Sequence, residues 1–229
     1  MTQIQPRHIR IYKNILAILG AFVICGSTLL HANAAEFASV QYNKGIFIDY
    51  NQMDKAKIQN DADSLLEQAL KSEDLQTKKD LFQKAAGQYY ILTRLEPNNI
   101  QAVTNLARVY DYENKNTYAK AYFYKALEID KNDINTNYYF GNFYYSRNQY
   151  QKALKYYKLA LKNGYPQSHD LMSKMAGLYE KLGDLQKASQ CYKKAFLENR
   201  KDSDIANKII ELENLKTKNA RYYTKQRKK

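Results

Sequence analysis

Few side chains in this chain are of types that do chemistry, and none has the neighbours that chemistry needs. His169 is the one histidine beyond the N-terminal segment, placed just after Pro166 at the start of a helical pattern. A general base or a metal ligand needs partners at fixed spacing, and no second histidine or cysteine cluster supplies them. His169 therefore reads as a surface residue. The pairs Asp202/Asp204 and Glu211/Glu213 have the types for acid–base work, but they fall in one amphipathic segment near the C-terminus and read as solvated. Cys191 sits beside a packing tyrosine and reads as a partly buried structural thiol. With 8 glycines in 229 residues there is little material for a phosphate-cradling loop or a nucleophile elbow. No enzyme, cofactor or metal is expected from this inventory.

What the sequence does contain is an echo with a period near 34 residues. Windows 100–133, 134–167 and 169–202 place the same residue types at the same offsets. The eighth position is small (Ala107, Gly141, Ala176), and the eleventh is Tyr110, Tyr144 and Tyr179. The twentieth is Ala119, Ala153 and Ala188; the twenty-fourth is Phe123, Tyr157 and Tyr192; the twenty-seventh is Ala126, Ala160 and Ala195. One residue is inserted near Ser168. Each window reads as two helices, joined in the middle one by the polar turn Ser146–Gln149 and in the last by Gly183, which suits a left-handed helix end. Small residues in phase with aromatic ones are what tightly crossed helices require. A unit of this size cannot bury its apolar face alone, so such units stack.

These residues resemble the tetratricopeptide repeat family, through Gly141 and Tyr144, then Ala153, Tyr157 and Ala160-Leu161, recurring in phase. The resemblance covers 100–202 well and continues weakly on both sides. It departs at the fourth position, where Val103, Asn137 and Met172 replace the usual large residue. The implied architecture is all-α: helix-turn-helix repeats stacked as an α-solenoid. A degenerate first repeat spans 54–99, with a turn lengthened over Ser72–Lys79. Repeats follow at 100–133, 134–167 and 169–202. A capping helix at 203–215 puts Ile205, Ile209 and Leu212 on one face, and a basic tail fills 216–229. In this family the first helix of each repeat lines a concave binding face. Carried onto this chain, the lining is Thr104, Asn105, Arg108 and Tyr112, then Asn135, Tyr138, Tyr139, Asn142 and Tyr145, then Lys174 and Lys181. Amides can hold an extended peptide's main chain, tyrosines give flat amphipathic area, and Arg108 and Lys174 can hold a carboxylate. The chaperone-tail subclass uses a basic and amide clamp; here Thr104, Arg108, Tyr139, Asp170 and Lys174 stand there, and Asp170 would repel a terminal carboxylate. The implied partner is a protein or peptide segment, with no nucleic acid.

The first 34 residues are a different object. Arg7, Arg10 and Lys13 precede the uncharged run Ile15–Leu30, and Ala32-Asn33-Ala34 closes it. That order describes a secretory signal peptide, with an uncleaved N-terminal anchor as the alternative. Either places the repeats outside the cytoplasm, periplasmic or secreted. Between it and the repeats, an N-terminal extension, 35–53, alternates Val40, Tyr42, Ile46, Ile48 and Tyr50 around Asn43-Lys44-Gly45, as a small hairpin would. The formal charge of +13 is also uneven: residues 216–229 hold seven basic and no acidic side chains. That tail reads as a solvated, disordered end, or as a peripheral contact with anionic envelope polymer or lipid. The sequence thus describes an exported interaction scaffold. A self-associating array and a polymer- or lipid-binding module are its competitors.

Overall fold

The computed structural model of the chain describes residues 53–226, with side chains as far as residue 218. The expected signal peptide and the hairpin around Asn43-Lys44-Gly45 lie outside the described residues. Among those described are nine helices and no strand. They are α1 (Lys55–Lys71), α2 (Leu75–Leu95), α3 (Ile100–Tyr112), α4 (Asn116–Ile129), α5 (Ile134–Tyr145), α6 (Tyr150–Lys162), α7 (Ser168–Lys181), α8 (Leu185–Glu198) and α9 (Ser203–Gln226). Helices pack in sequential pairs, each pair packs on the next, and α9 closes the series against α8. The three windows of the sequence echo coincide with α3/α4, α5/α6 and α7/α8.

The phased small residues are packing requirements. Ala119, Ala153 and Ala188, with Ala126, Ala160 and Ala195, are wholly buried. So are Phe123 and Tyr157 beside them, to within 1%. Gly141 shows why the eighth position is small. A Cβ built there would lie 2.4 Å from two atoms of the Tyr157 ring, a separation that carbon atoms do not tolerate. Around this crossing, Phe140 packs against Phe123, Tyr144 and Tyr156 with ring centroids 4.4–4.9 Å apart. Aromatic area in offset and tilted contact gives the middle repeats their core.

The turns repeat as faithfully as the helices. Asn114, Asn148 and Gly183 stand at matching places and take positive φ, at 59°, 56° and 76°. After each, an N–H reaches back to the eleventh-position carbonyl: Lys115 to Tyr110 (2.8 Å), Gln149 to Tyr144 (3.0 Å) and Asp184 to Tyr179 (2.9 Å). That is the left-handed helix termination which satisfies otherwise orphaned carbonyls. At the helix starts, the side chains of Asp54, Asp74, Asn99, Asp133 and Asp184 each accept a backbone N–H from three residues on. The buried Asn137, at the fourth repeat position, donates from its amide to the carbonyls of Lys131 (3.0 Å) and Asp133 (2.7 Å). It secures the link between α4 and α5.

Two expectations need correction. The turn of the first pair is not lengthened: it is Ser72-Glu73-Asp74, and α2 begins at Leu75. Asp74 bonds the N–H of Thr77 at 2.7 Å, so the acidic stretch caps a helix and the extra length belongs to α2. At the other end, α9 runs to Gln226 instead of stopping at Leu215. No glycine or proline interrupts 203–226 to end it. Ile205 and Leu212 are buried and Ile209 partly so, as a capping face requires.

Candidate functional site

The first helices α3, α5 and α7 bring one face of the stack together. Residues spaced three and four apart on a helix share a face, which aligns Arg108 with Asp111 and Tyr112, and Tyr139 with Asn142 and Tyr145. Between them runs a groove of about 560 Å³, which Lys174 of α7, Asn116 and Arg147 also line. Tyr112 and Tyr145 stand well exposed in it, at 45% and 37%.

Both arginines are held in fixed poses. The Arg108 guanidinium lies 3.7 Å from the centre of the Tyr139 ring and donates to Asn105 Oδ1 at 2.8 Å. Arg147 lies 3.7 Å from the Phe143 ring centre and donates to the Phe143 carbonyl at 2.7 Å. It also donates to Asp111 Oδ1 at 2.7 Å and to Asn116 Oδ1. Burial pushes the Asp111 carboxyl above its ordinary value, and the hydrogen bond and charge of Arg147 oppose that rise. Asn142 Oδ1 accepts from Tyr157 Oη (2.7 Å) and from Lys174 Nζ (3.2 Å). The Asn142 amide and the Lys174 ammonium also bond Tyr138; their remaining N–H groups, with the face of Tyr145, are what the groove offers an incoming segment. A preformed surface of this kind binds with little ordering of its own side chains.

Of the residues expected to line a binding face, the structure gathers Arg108, Tyr112, Tyr139, Asn142, Tyr145 and Lys174. The others lie elsewhere. Asn105 is buried beneath Arg108, donating to Asp63 Oδ1 (3.1 Å) and Tyr89 Oη (3.2 Å). Thr104 is buried and bonded to Thr136 at 2.6 Å. Tyr138 adjoins the groove without lining it: its ring is stacked on Tyr165 of the same repeat at 4.4 Å, and Asn142 and Lys174 bond to it. Asn135 is exposed but does not line the groove, and Lys181 lies 5.4 Å from the Tyr150 ring centre. Sequence reasoning missed Asp111 and Arg147. The i, i+3 spacing from Arg108 pointed to Asp111; Arg147 was hidden inside a turn. His169 is also less exposed than a surface residue, with Nδ1 3.0 Å from Asp170 and Nε2 3.3 Å from Asp202. No group of three metal-ligating side chains occurs among the described residues.

A tetratricopeptide repeat family model matches residues 100–133 and 169–202, the first and third windows of the echo. In those two windows the chain resembles tetratricopeptide repeats. The fold agrees with that of solved structures. A structure from a study of Pseudomonas aeruginosa pilF superposes with TM-score 0.56 at 17% identity, over 71% of this chain and 72% of that one. The MamA protein gives TM-score 0.56 at 19% identity, over 75% and 88%. A tetratricopeptide repeat protein from Parabacteroides merdae gives 0.54 at 20% identity, over 69% and 61%. At such identities the likeness is one of fold. No curated protein matches the chain in sequence. Tetratricopeptide stacks generally serve as non-catalytic scaffolds for protein–protein interaction, through the extended surfaces that stacking creates.

Proposed function

We propose that the chain is a non-enzymatic interaction scaffold of the cell envelope that holds a segment of a partner protein in the groove across α3, α5 and α7. The observation that carries this is the groove itself: a preset cation at Arg108, a second at Lys174, the Asn142 amide, and two exposed tyrosine faces on one side of the repeats. Tyrosine and amide side chains suit an extended main chain, and the cations suit acidic side chains along it. Export is supported by the basic start, apolar run and small-residue end of residues 1–34.

The test is photo-crosslinking in the native cell with a photoreactive residue at Tyr145, together with the sequence of the mature N-terminus. A discrete adduct is expected, lost when Lys174→Glu is added and retained with Lys120→Glu on α4. An adduct insensitive to Lys174→Glu, or none, removes the groove from consideration. An adduct of twice the chain's own mass identifies self-association instead. An N-terminus at Ala35 accords with a cleaved leader.

A further inference from the structure

The charge of the repeats is divided unevenly between the two helices of each pair. The first helices α1, α3, α5 and α7 carry six basic and six acidic side chains. The second helices α2, α4, α6 and α8 carry thirteen basic and three acidic ones. The excess peaks on α6, where Lys152, Lys155, Lys158 and Lys162 occur with no acid at all. All four are exposed.

Beside α6 lies a second groove, about 680 Å³, between α6 and the junction of α7 with α8. Leu154, Leu159 and Leu182 form its apolar floor, and Lys155, Lys158 and Lys162 rise along one edge. Lys158 stands 5.5 Å from the ring centre of Tyr179, which also lines the groove. The single acid there, Asp184, is bonded to Lys187. None of the three α6 lysines meets a carboxylate among the described residues. Like charges at three- and four-residue spacing on one helix repel, and only the rings of Tyr156, 5.4 Å from Lys155, and Tyr179, 5.5 Å from Lys158, offset this. Apart from Asp184, no carboxylate of the described repeats stands opposite them, which leaves the face open to an acidic partner.

We infer that this face is a second docking surface, separate from the first-helix groove, and that its occupant is an acidic amphipathic segment of a partner protein. Lys155, Lys158 and Lys162 are spaced three and four residues apart and cover about 10 Å of helix. A helix with carboxylates at i, i+3 or i+4, and i+7 repeats that interval and leaves an apolar stripe for the floor. An anionic bilayer is the poorer fit, because a plane reaches the ammonium groups and Leu182, 39% exposed, but not Leu154, 5% exposed.

The experiment measures fluorescence anisotropy of the full chain with two labelled synthetic peptides of identical composition. One places glutamates at i, i+3, i+4 and i+7 around leucines; the other is scrambled. The patterned peptide is expected to bind at least tenfold more tightly than the scrambled one. Lys155→Gln/Lys158→Gln/Lys162→Gln should lower its affinity at least tenfold and flatten its salt dependence. The corresponding Lys→Arg triple should retain binding, and Tyr145→Ala/Lys174→Glu should leave it unchanged. Helical content checks that each variant is folded, which exposed positions on α6 favour. Equal binding of the two peptides overturns the inference, as does indifference to the glutamine triple. Preferential binding to phosphatidylglycerol vesicles over the patterned peptide overturns it in favour of a lipid surface.

Discussion

Substituting Gly141 by Ala tests the packing rule on which the stack is built. The added methyl would start 2.4 Å from the Cδ1 and Cε1 atoms of Tyr157, about 1 Å inside ordinary carbon contact. The ring cannot easily retreat. Tyr157 is fully buried, and its hydroxyl is tied to Asn142 at 2.7 Å. Overpacking of this kind costs about 1–3 kcal/mol, against which alanine recovers about 1 kcal/mol of helix propensity. With the ring held, the cost falls in the upper part of that range, about 2–3 kcal/mol, and a net loss of about 1–2 kcal/mol is expected. Gly177 supplies the control. Its Cβ would meet only the Tyr192 hydroxyl at 3.9 Å, so Gly177→Ala should gain about 0.5–1 kcal/mol from the same propensity difference with no clash. Urea unfolding followed by helical circular dichroism separates the two. With m near 2 kcal/mol/M, the Gly141 variant should lose about 0.5–1 M in midpoint and the Gly177 variant gain a few tenths. If Gly141→Ala is as stable as the parent, the close approach of α5 and α6 is not what keeps the eighth position small.

Other expectations follow from the turns, the groove and the thiol. Asn148, at φ 56°, is strained for other side chains; Asn148→Ala should cost about 1 kcal/mol and Asn148→Gly little, read from thermal midpoints. Arg147→Ala leaves the half-buried Asp111 carboxylate unpaired, and should cost about 2–3 kcal/mol near pH 7. Because burial holds the folded carboxyl of Asp111 above its usual value, the folded state takes up its proton more readily than the unfolded one. This group therefore lowers stability above its folded value, and part of the Arg147→Ala loss should return as pH falls through the carboxylate range. Cys191 is half-buried, and burial pushes its thiol up despite Lys194 and Lys158 nearby. Iodoacetamide should modify it slowly at pH 8 and at the rate of an ordinary thiol in 8 M urea; rapid reaction of the folded chain would contradict a structural role.

The fold was legible because a 34-residue echo encodes it redundantly: small residue, tyrosine, alanine and aromatic return in step at Ala107/Gly141/Ala176 and onward. Where that redundancy ends, the reading weakened. Asp74 resembles turn sequence until its side chain is seen to cap α2. The stretch after Leu215 has helix-compatible residues but no apolar stripe, so periodicity was silent about the end of α9. The site was legible only in part. Neighbouring positions on a helix differ by about 100° in direction, so Tyr139 stands in the groove while Tyr138 stacks on Tyr165. Asn105 was drawn beneath the surface by Asp63 and Tyr89 of the preceding pair. Such long-range partners leave no mark in local spacing. The second-helix lysines were visible as composition, but their placement around one groove was not.

The most direct measurement of groove capture is tyrosine footprinting of the chain alone and with the partner that crosslinks at Tyr145. Tyr112, Tyr124 and Tyr145 are all well exposed, at 45%, 42% and 37%, but only Tyr112 and Tyr145 line the groove. The partner should shield Tyr112 and Tyr145 while Tyr124 stays as reactive as before. Shielding of Tyr124 with Tyr112 and Tyr145 left open would contradict it.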